Sequence, residues 1–236
     1  DKSLFIQQIV QDGAEVILFP RPRRFGKTLN LSMLRYFFEK PSNPLPNENR
    51  RALFSGLALE QSQEVWVHFQ RYPTLFVTFK DIKANSWADA FIGISKLLSK
   101  LYEEHDYLRK KGHLSPQAEK QFRQILDREA SPAECLDALS QLSRYLFDYH
   151  REQVVILIDE YDTCLHEAYA KGYYEEAISF FRNLLSGAFK DNYALFKEVM
   201  TGILRIARES LFSGLNNLSV FSLLHHKFAT SRSEER

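Results

Sequence analysis

Short apolar runs mark the places where this 236-residue chain is expected to form strands. Residues 16–19 form one run, and 153–158 contain five consecutive β-favouring apolar residues. Because neither run alternates with polar positions, each predicts a strand buried on both faces, as in a parallel sheet. Three further strands are predicted at 72–79, 196–204 and 220–224.

Apolar residues between these strands recur at helical spacing. Leu31, Leu34 and Phe37 predict a helix that begins after Thr28 and ends near Pro41. Two more helices are predicted at 3–11 and 173–190. Strands that alternate with helices indicate an α/β fold, in which a mostly parallel sheet is covered on both faces.

Residues 86–150 are predicted to be helical throughout. Helix starts are indicated by Ser86, by Ser115 before a proline, and by Ser131, which Glu134 follows as in a capping box. We interpret this block as a helical insertion between the second and third strands. Its charged faces are either solvated or a surface for a protein partner.

The turn after the first strand carries the chemistry that suggests a function. It ends in Gly26, Lys27 and Thr28 and leads directly into the predicted helix. A helix N-terminus presents unpaired N–H groups and a positive dipole end to an anion. Lys27 would reach the β- and γ-phosphates of a nucleotide, and Thr28 would bind Mg²⁺. Arg21 occupies the position at which the P-loop pattern G-x-x-x-x-G-K-[ST] has its first glycine.

Two carboxylates end the strand predicted at 153–158. Ligands of α/β proteins bind at the carboxyl ends of the strands, which is where Asp159 and Glu160 lie. Asp159 would hold Mg²⁺ opposite Thr28, directly or through water, and Glu160 would polarise the attacking water. A buried strand followed by a solvated acidic turn is the alternative for this segment taken alone.

Composition and charge narrow the class of protein. The chain is 44% hydrophobic and 26% charged, which is typical of a globular domain, and its net charge of +1 indicates neither nucleic-acid nor membrane binding. Cys135 and Cys164 supply no disulfide framework and no metal-ligand spacing. Without an apolar span or signal peptide, a cytoplasmic location is expected. We assign 1–229 to one domain and 230–236 to a polar tail.

The chain resembles the AAA-ATPase-like family of predicted P-loop ATPases. The string R-P-R-R-F-G-K-T carries the resemblance most specifically, and it accounts for Arg21, since this family uses Arg there. Further matching segments lie at 53–57, 72–73, 79–81, 157–162 and 201–218. The resemblance implies an ATPase core with strand order 5-1-4-3-2, ATP and Mg²⁺ as ligands, and often a C-terminal PD-(D/E)XK nuclease-like domain. That domain and the helical lid are expected to lie outside this chain.

The resemblance also implies roles for single residues. Asp159 and Glu160 match the Walker B pair, and Thr201 with Arg205 match the sensor region, which contacts the γ-phosphate or stabilises transition-state charge. The predicted catalytic residues are Glu160, Lys27 and Arg205, and the predicted Mg²⁺ ligands are Thr28 and Asp159. The predicted nucleotide-binding residues are Arg23, Arg24, Phe25, Gly26, Lys27, Thr28, Leu29 and Thr201. For Arg23 and Arg24, phosphate contacts and structural salt bridges remain equal alternatives.

Three functions follow from these observations. The first is an Mg²⁺-dependent ATPase domain that drives an attached effector, such as a nuclease, within a possible homo-oligomer. The second is a slow nucleotide-dependent switch. The third is a degenerate P-loop scaffold that uses 86–150 as its interaction surface. The presence of Lys27, Thr28, Asp159 and Glu160 argues against the third.

Overall fold

A five-stranded sheet organises the part of the chain that the computed structural model describes, which is residues 1–22, 25–41, 49–202 and 218–220. Within these ranges three short 3₁₀ helices, labelled η1–η3, accompany the α-helices. The elements in chain order are α1 (Leu4–Gln11), β1 (Val16–Pro20), α2 (Lys27–Phe38), η1 (Arg50–Phe54), η2 (Ala58–Gln61), η3 (Gln63–His68), β2 (Thr74–Thr78), α3 (Trp87–Glu104), α4 (Tyr107–Lys110), α5 (Pro116–Leu126), α6 (Pro132–Cys135), α7 (Ala138–His150), β3 (Val154–Asp159), α8 (Thr163–Lys171), α9 (Tyr174–Phe189), β4 (Leu195–Gly202) and β5 (Leu218–Val220).

The strands pair in parallel in the order β2-β3-β4-β1-β5. From the opposite edge this order is 5-1-4-3-2, so the expected α/β class and strand order are confirmed. Every residue of β1 and β3 is buried, as their uninterrupted apolar runs predict. Because all five strands are parallel, their carboxyl ends meet at one edge of the sheet, which we call the carboxyl edge.

Helices cover both faces of the sheet, and β1 shows how the two cores are divided. Ile17 and Phe19 pack in an apolar cluster with the buried residues of α1 and α2. Val16 and Leu18 pack in a second cluster with α3, α7 and α9. Since successive strand residues point to opposite faces, β1 contributes to both cores.

The helix starts predicted within 86–150 are confirmed. Helices α3, α5 and α6 each begin directly after a serine whose hydroxyl accepts a backbone N–H in the first turn, namely Ser86, Ser115 and Ser131. The side chains of Ile94 and Leu98 pack in the same cluster as β2 and β3, so this block shares the core of the sheet. Its interpretation as an insertion stays a prediction.

The structure differs from the predicted elements after β3. Two helices, α8 and α9, occupy the segment for which only a helix at 173–190 was expected, and Gly172 separates them with a left-handed φ of 82°. Helix α8 was not predicted because its nine residues bury only Cys164, Leu165 and Ala168, which is too few to form a clear helical pattern of apolar residues. Strand β5 lies at Leu218–Val220, and residues 203–204, 221–224 and 230–236 fall outside the described residues.

Candidate functional site

The end of the turn between β1 and α2 has the backbone that its sequence predicts. Gly26 precedes α2 and adopts left-handed angles (φ 69°, ψ 26°), which glycine tolerates without strain. Its carbonyl accepts the N–H of Asn30 at 2.9 Å, so the helix begins at Lys27. Strand, turn and helix therefore follow one another at the carboxyl edge.

Lys27 is buried within this turn. Its side chain is on the first residue of α2, and the residue is only 6% exposed. The ammonium Nζ donates to the carbonyl oxygens of Arg21 and Pro22 at 3.1 and 3.5 Å. A buried ammonium needs acceptors of this kind. The ammonium is thus held on the backbone carbonyls at the start of the turn.

Arg21 occupies its glycine-like position without strain. It does not adopt a positive φ, so the backbone there does not require glycine. The Arg21 guanidinium lies 4.3 Å from the centre of the Phe19 ring, and the Arg21 backbone N–H donates to the carbonyl of Gly202 at 2.9 Å. The turn is therefore tied to the end of β4.

Asp159 connects three elements at the carboxyl edge. Its carboxylate is fully buried and accepts two hydrogen bonds, from Thr28 Oγ1 to Oδ2 at 2.8 Å and from Thr201 Oγ1 to Oδ1 at 2.6 Å. Thr28 belongs to the first turn of α2, and Thr201 lies near the end of β4. The two hydroxyls orient the carboxylate, which is the arrangement that a buried polar group requires.

Glu160 is held in an unusual backbone conformation next to Asp159. Its φ of 52° is left-handed, which for a non-glycine residue stores strain of about 1–2 kcal/mol. Its carboxylate oxygen Oε2 accepts a hydrogen bond from Thr163 Oγ1 at 3.2 Å, and its N–H points to Thr201 Oγ1 at 3.5 Å. Thr163 is the first residue of α8, so that helix start positions the glutamate.

Gly202 allows the turn after β3 to pass close to β4. A Cβ on this residue would lie 2.6 Å from Cε1 of Tyr161 and 2.9 Å from Oδ1 of Asp162. Tyr161 is fully buried there, and its N–H donates to the carbonyl of Thr201.

Burial raises the pKa of the Tyr161 phenol well above its ordinary value, and burial raises the pKa of Cys164 to about 12. Both groups are therefore neutral at physiological pH.

The structure brings most of the predicted site residues together. Gly26, Lys27, Thr28, Asp159, Glu160 and Thr201 all lie at the carboxyl edge. Phe25 is half-buried in the turn, and Leu29 is 65% exposed on the first turn of α2. Arg23, Arg24 and Arg205 lie outside the described residues. The roles assigned to all of these residues stay predictions.

Two residues of this region were missed from the sequence. Thr163 could have been found as a hydroxyl three residues after Glu160 at a possible helix start. Gly202 could have been found as a glycine inside a predicted strand, which often marks a close approach of two backbones. The Thr201 hydroxyl was expected to face a phosphate or the attacking water, but it donates its hydrogen bond to Asp159.

The parallel sheet and the strand–turn–helix at its carboxyl edge are those of a P-loop NTPase-like α/β domain. The chain belongs to the AAA-ATPase-like family, described as predicted AAA-ATPases, whose family model matches residues 1–212. It is 29% identical over 225 residues to an uncharacterized protein in the vnfD 5' region of Azotobacter chroococcum mcd 1. The match covers 94% of this chain and 37% of that relative, so the chain spans well under half of its length. No solved structure matches the chain.

The described residues lack two features, a membrane-spanning helix and a cluster of metal-binding side chains. None of the helices there has the length and apolar character needed to cross a bilayer. Nor do three or more His, Cys, Asp or Glu side chains gather there as a metal-binding group. A magnesium ion that relies on nucleotide phosphates does not need such a group, since one or two carboxylates suffice.

Proposed function

We propose that this domain binds Mg²⁺-ATP in the turn between β1 and α2 and hydrolyses it. The observation that carries the proposal is the 2.8 Å hydrogen bond from Thr28 Oγ1 to Asp159 Oδ2. It joins the start of α2 to the end of β3, two segments 131 residues apart. In P-loop NTPases a Ser or Thr of the loop and an Asp at a strand end hold Mg²⁺ together. Family membership supports nucleotide binding but does not by itself assign these roles.

The oxygen atoms of this pair fit a magnesium ion. Mg²⁺ selects hard oxygen ligands and is usually held by one or two carboxylates together with waters and phosphates. Thr28 is exposed while Asp159 is fully buried behind it, so the hydroxyl would ligate directly and the carboxylate directly or through water. When bound, Mg²⁺ would neutralise charge on the β- and γ-phosphate oxygens.

Lys27 and the start of α2 would bind the phosphates. The Lys27 ammonium would exchange the carbonyl oxygens of Arg21 and Pro22 for phosphate oxygens, which are stronger acceptors because they are charged. The free N–H groups at the start of α2 favour an anion in the same place. Phe25, Gly26 and Leu29 would shape the turn around the nucleotide. Arg23 and Arg24 would contact phosphate or form structural salt bridges.

Glu160 would act as the general base. Its carboxylate would orient and deprotonate the water that attacks the γ-phosphate. The Thr201 hydroxyl would donate to Asp159 and could accept a hydrogen bond from the attacking water. Arg205 would stabilise charge in the transition state. Each residue then contributes by position or electrostatics, which is how phosphoryl transfer is catalysed.

Thermal unfolding with Mg²⁺-ATP and Mg²⁺-ADP tests binding. Ligand at about 100 times its dissociation constant adds roughly 2.7 kcal/mol of stability, a shift of several degrees. We expect this rise for the wild type and its absence for Lys27→Ala. Glu160→Gln should keep the rise but reduce hydrolysis by about 10²- to 10⁴-fold. If neither nucleotide raises the wild-type transition, the domain is a scaffold without a nucleotide site.

A slow nucleotide-dependent switch is the second candidate. It is favoured by the left-handed backbone of Glu160 and by the hydrogen bond that its carboxylate accepts from Thr163. Such restraint would keep the glutamate away from water until a partner moves α8. This candidate predicts tight ADP binding with little turnover, whereas the ATPase predicts turnover without a partner.

We further propose that the nucleotide cycle controls an effector elsewhere in a longer protein or complex. The matched relative is much longer than this chain, and the family resemblance suggests a nuclease-like effector. A homo-oligomer in the cytoplasm would be compatible with these roles. Size-exclusion chromatography with light scattering, with and without Mg²⁺-ATP, tests the oligomer directly.

A further inference from the structure

We propose that Lys2 is a second cation of the nucleotide site, which contacts the phosphates from its position beside Gly26. A Cβ built on Gly26 would lie 3.1 Å from Lys2 Nζ, so the ammonium lies directly against the residue that precedes α2. In the sequence, Lys2 precedes β1, whereas Gly26 follows it. The inference rests on the proposed function and extends that site to the N-terminal segment.

The neighbours of Lys2 fix its backbone. Asp1 Oδ1 accepts the N–H of Ser3 at 2.8 Å, and Asp1 Oδ2 accepts the N–H of Ala58 at 2.5 Å. The buried hydroxyl of Ser3 accepts the N–H of Leu59 at 3.0 Å. Hydrogen bonds from both sides of Lys2 thus attach it to the 3₁₀ helix η2. Because the backbone of Lys2 is already fixed in this way, less conformational entropy of this segment is lost when the side chain binds a ligand.

Helix α1 fixes the same segment relative to the turn. Phe5 is buried against Phe19, with ring centres 4.7 Å apart, and Phe19 lies near the end of β1. Ile6 and Ile9 are fully buried in the cluster that also holds residues of α2. Since α1 packs against both the strand and the helix that flank the turn, the position of Lys2 beside Gly26 follows from the core.

The ammonium group of Lys2 has hydrogen-bond donors that could bind a ligand. Its ammonium carries three donors, and none of them makes a hydrogen bond or ion pair with another residue of the described ranges. Lys27 is buried on carbonyl oxygens of the turn, while Lys2 is half-buried beside Gly26. Two ammonium groups therefore lie at this turn, Lys27 Nζ on the carbonyl oxygens and Lys2 Nζ beside Gly26, and together they favour a ligand with several negative charges. A nucleoside triphosphate meets this requirement better than a monophosphate does.

Calorimetric titration of the purified chain with Mg²⁺-ATP, Mg²⁺-ADP and AMP tests the role of Lys2. We expect Lys2→Met to weaken ATP binding about tenfold, which corresponds to one charge-assisted hydrogen bond, with a smaller loss for ADP and almost none for AMP. Lys2→Arg should restore most of the affinity. Lys171→Met, which removes the same charge from an exposed position at the end of α8, should stay within twofold of the wild type. The loss should shrink when the salt concentration is raised.

The possible results separate the two proposals. If the wild type binds ATP, Lys27→Ala abolishes binding and Lys2→Met changes nothing, the role of Lys2 is overturned and the proposed function stands. If Lys2→Met weakens all three nucleotides equally, the residue acts on the turn and not on the phosphates, which also overturns the inference. If the wild type binds no nucleotide, both proposals fail. Unfolding of each variant without ligand shows whether the fold is intact.

Discussion

Two carboxyl side chains on neighbouring strands are fully buried in very different ways. Asp159, at the end of β3, accepts hydrogen bonds from Thr28 and Thr201. Glu198 lies in the middle of β4, between Val16 and Ile156 in the strand register, and neither of its carboxyl oxygens has a hydrogen-bond partner in the described part of the chain. One carboxyl group is built into a polar network, and the other lies among apolar residues.

The two sites show where this fold supplies hydrogen-bond donors to a buried carboxyl group and where it does not. At the carboxyl edge, α2 and β4 bring hydroxyl donors to Asp159, so its polar atoms are satisfied. Inside the sheet, burial raises the pKa of Glu198 well above its ordinary value of 4.5, so the neutral form is favoured. The hydrogen-bond network around Asp159 is thus a feature of the carboxyl edge, and Glu198 has no such network within the described residues.

Thr201→Val would remove one of the two hydrogen bonds that distinguish Asp159 from Glu198. Valine keeps the shape of threonine, but it removes the hydrogen bond to Oδ1, which should reduce the free energy of unfolding by about 2–3 kcal/mol. Urea unfolding measures the change. Thr78→Val is the matched control because the buried hydroxyl of Thr78 has no hydrogen-bond partner among the described residues, so its removal should not destabilise the protein. Equal effects at the two positions would contradict the network.

Gly202→Ala would disturb the packing beneath this network. The added Cβ would lie within 3 Å of the Tyr161 ring and of the Asp162 carboxylate, so the turn after β3 must shift. Overpacking of this kind should reduce the free energy of unfolding by about 2 kcal/mol. Gly13→Ala is the control, since nothing lies within 4 Å of its Cβ position. A Gly202 variant as stable as the Gly13 variant would show that the turn adapts freely.

Glu198→Met would remove the unsatisfied carboxyl group and fill its space. It should increase the free energy of unfolding by about 1–2 kcal/mol near neutral pH. The native state keeps the Glu198 proton at pH values where the unfolded chain has lost it, so wild-type stability falls as pH rises from about 4.5 to the raised native pKa. The variant should lack this part of the pH dependence, as urea unfolding at several pH values measures. Exposed Glu175→Gln is the control, and a Glu198→Met variant less stable than the wild type would show that the carboxyl group has a partner.

Thr163→Val would remove the hydrogen bond that Thr163 donates to Glu160 at the carboxyl edge, and its expected effect is the smallest of the four. Loss of its hydrogen bond to Glu160 should reduce the rate constant of ATP hydrolysis about fivefold, equivalent to roughly 1 kcal/mol, because the carboxylate is less well oriented. Thr163→Ser, which keeps the hydroxyl, should retain the wild-type rate. Steady-state phosphate release measures both. A faster Thr163→Val variant would instead support the slow switch, in which this contact restrains the glutamate.

Local patterns in the amino-acid sequence determined much of this protein. The uninterrupted apolar runs located β1 and β3, because strands buried on both faces need no polar positions. Serine caps located three helix starts in the block after β2. The order of strand, turn and helix around Lys27, with an acidic strand end at Asp159, also predicted the two halves of the candidate site. The strand order followed from the resemblance to a family and is confirmed.

Only the tertiary structure decided how these parts meet. It assigned the Thr201 hydroxyl to Asp159, placed Thr163 on Glu160, and brought Lys2 beside Gly26. It also placed Glu198 among apolar residues, where a polar residue in an ordinary strand pattern gives no warning of burial. Hydrogen bonds and charge effects depend on ångström-scale distances between segments far apart in the chain. Local periodicity predicts the elements, but the packing of elements against one another sets those distances.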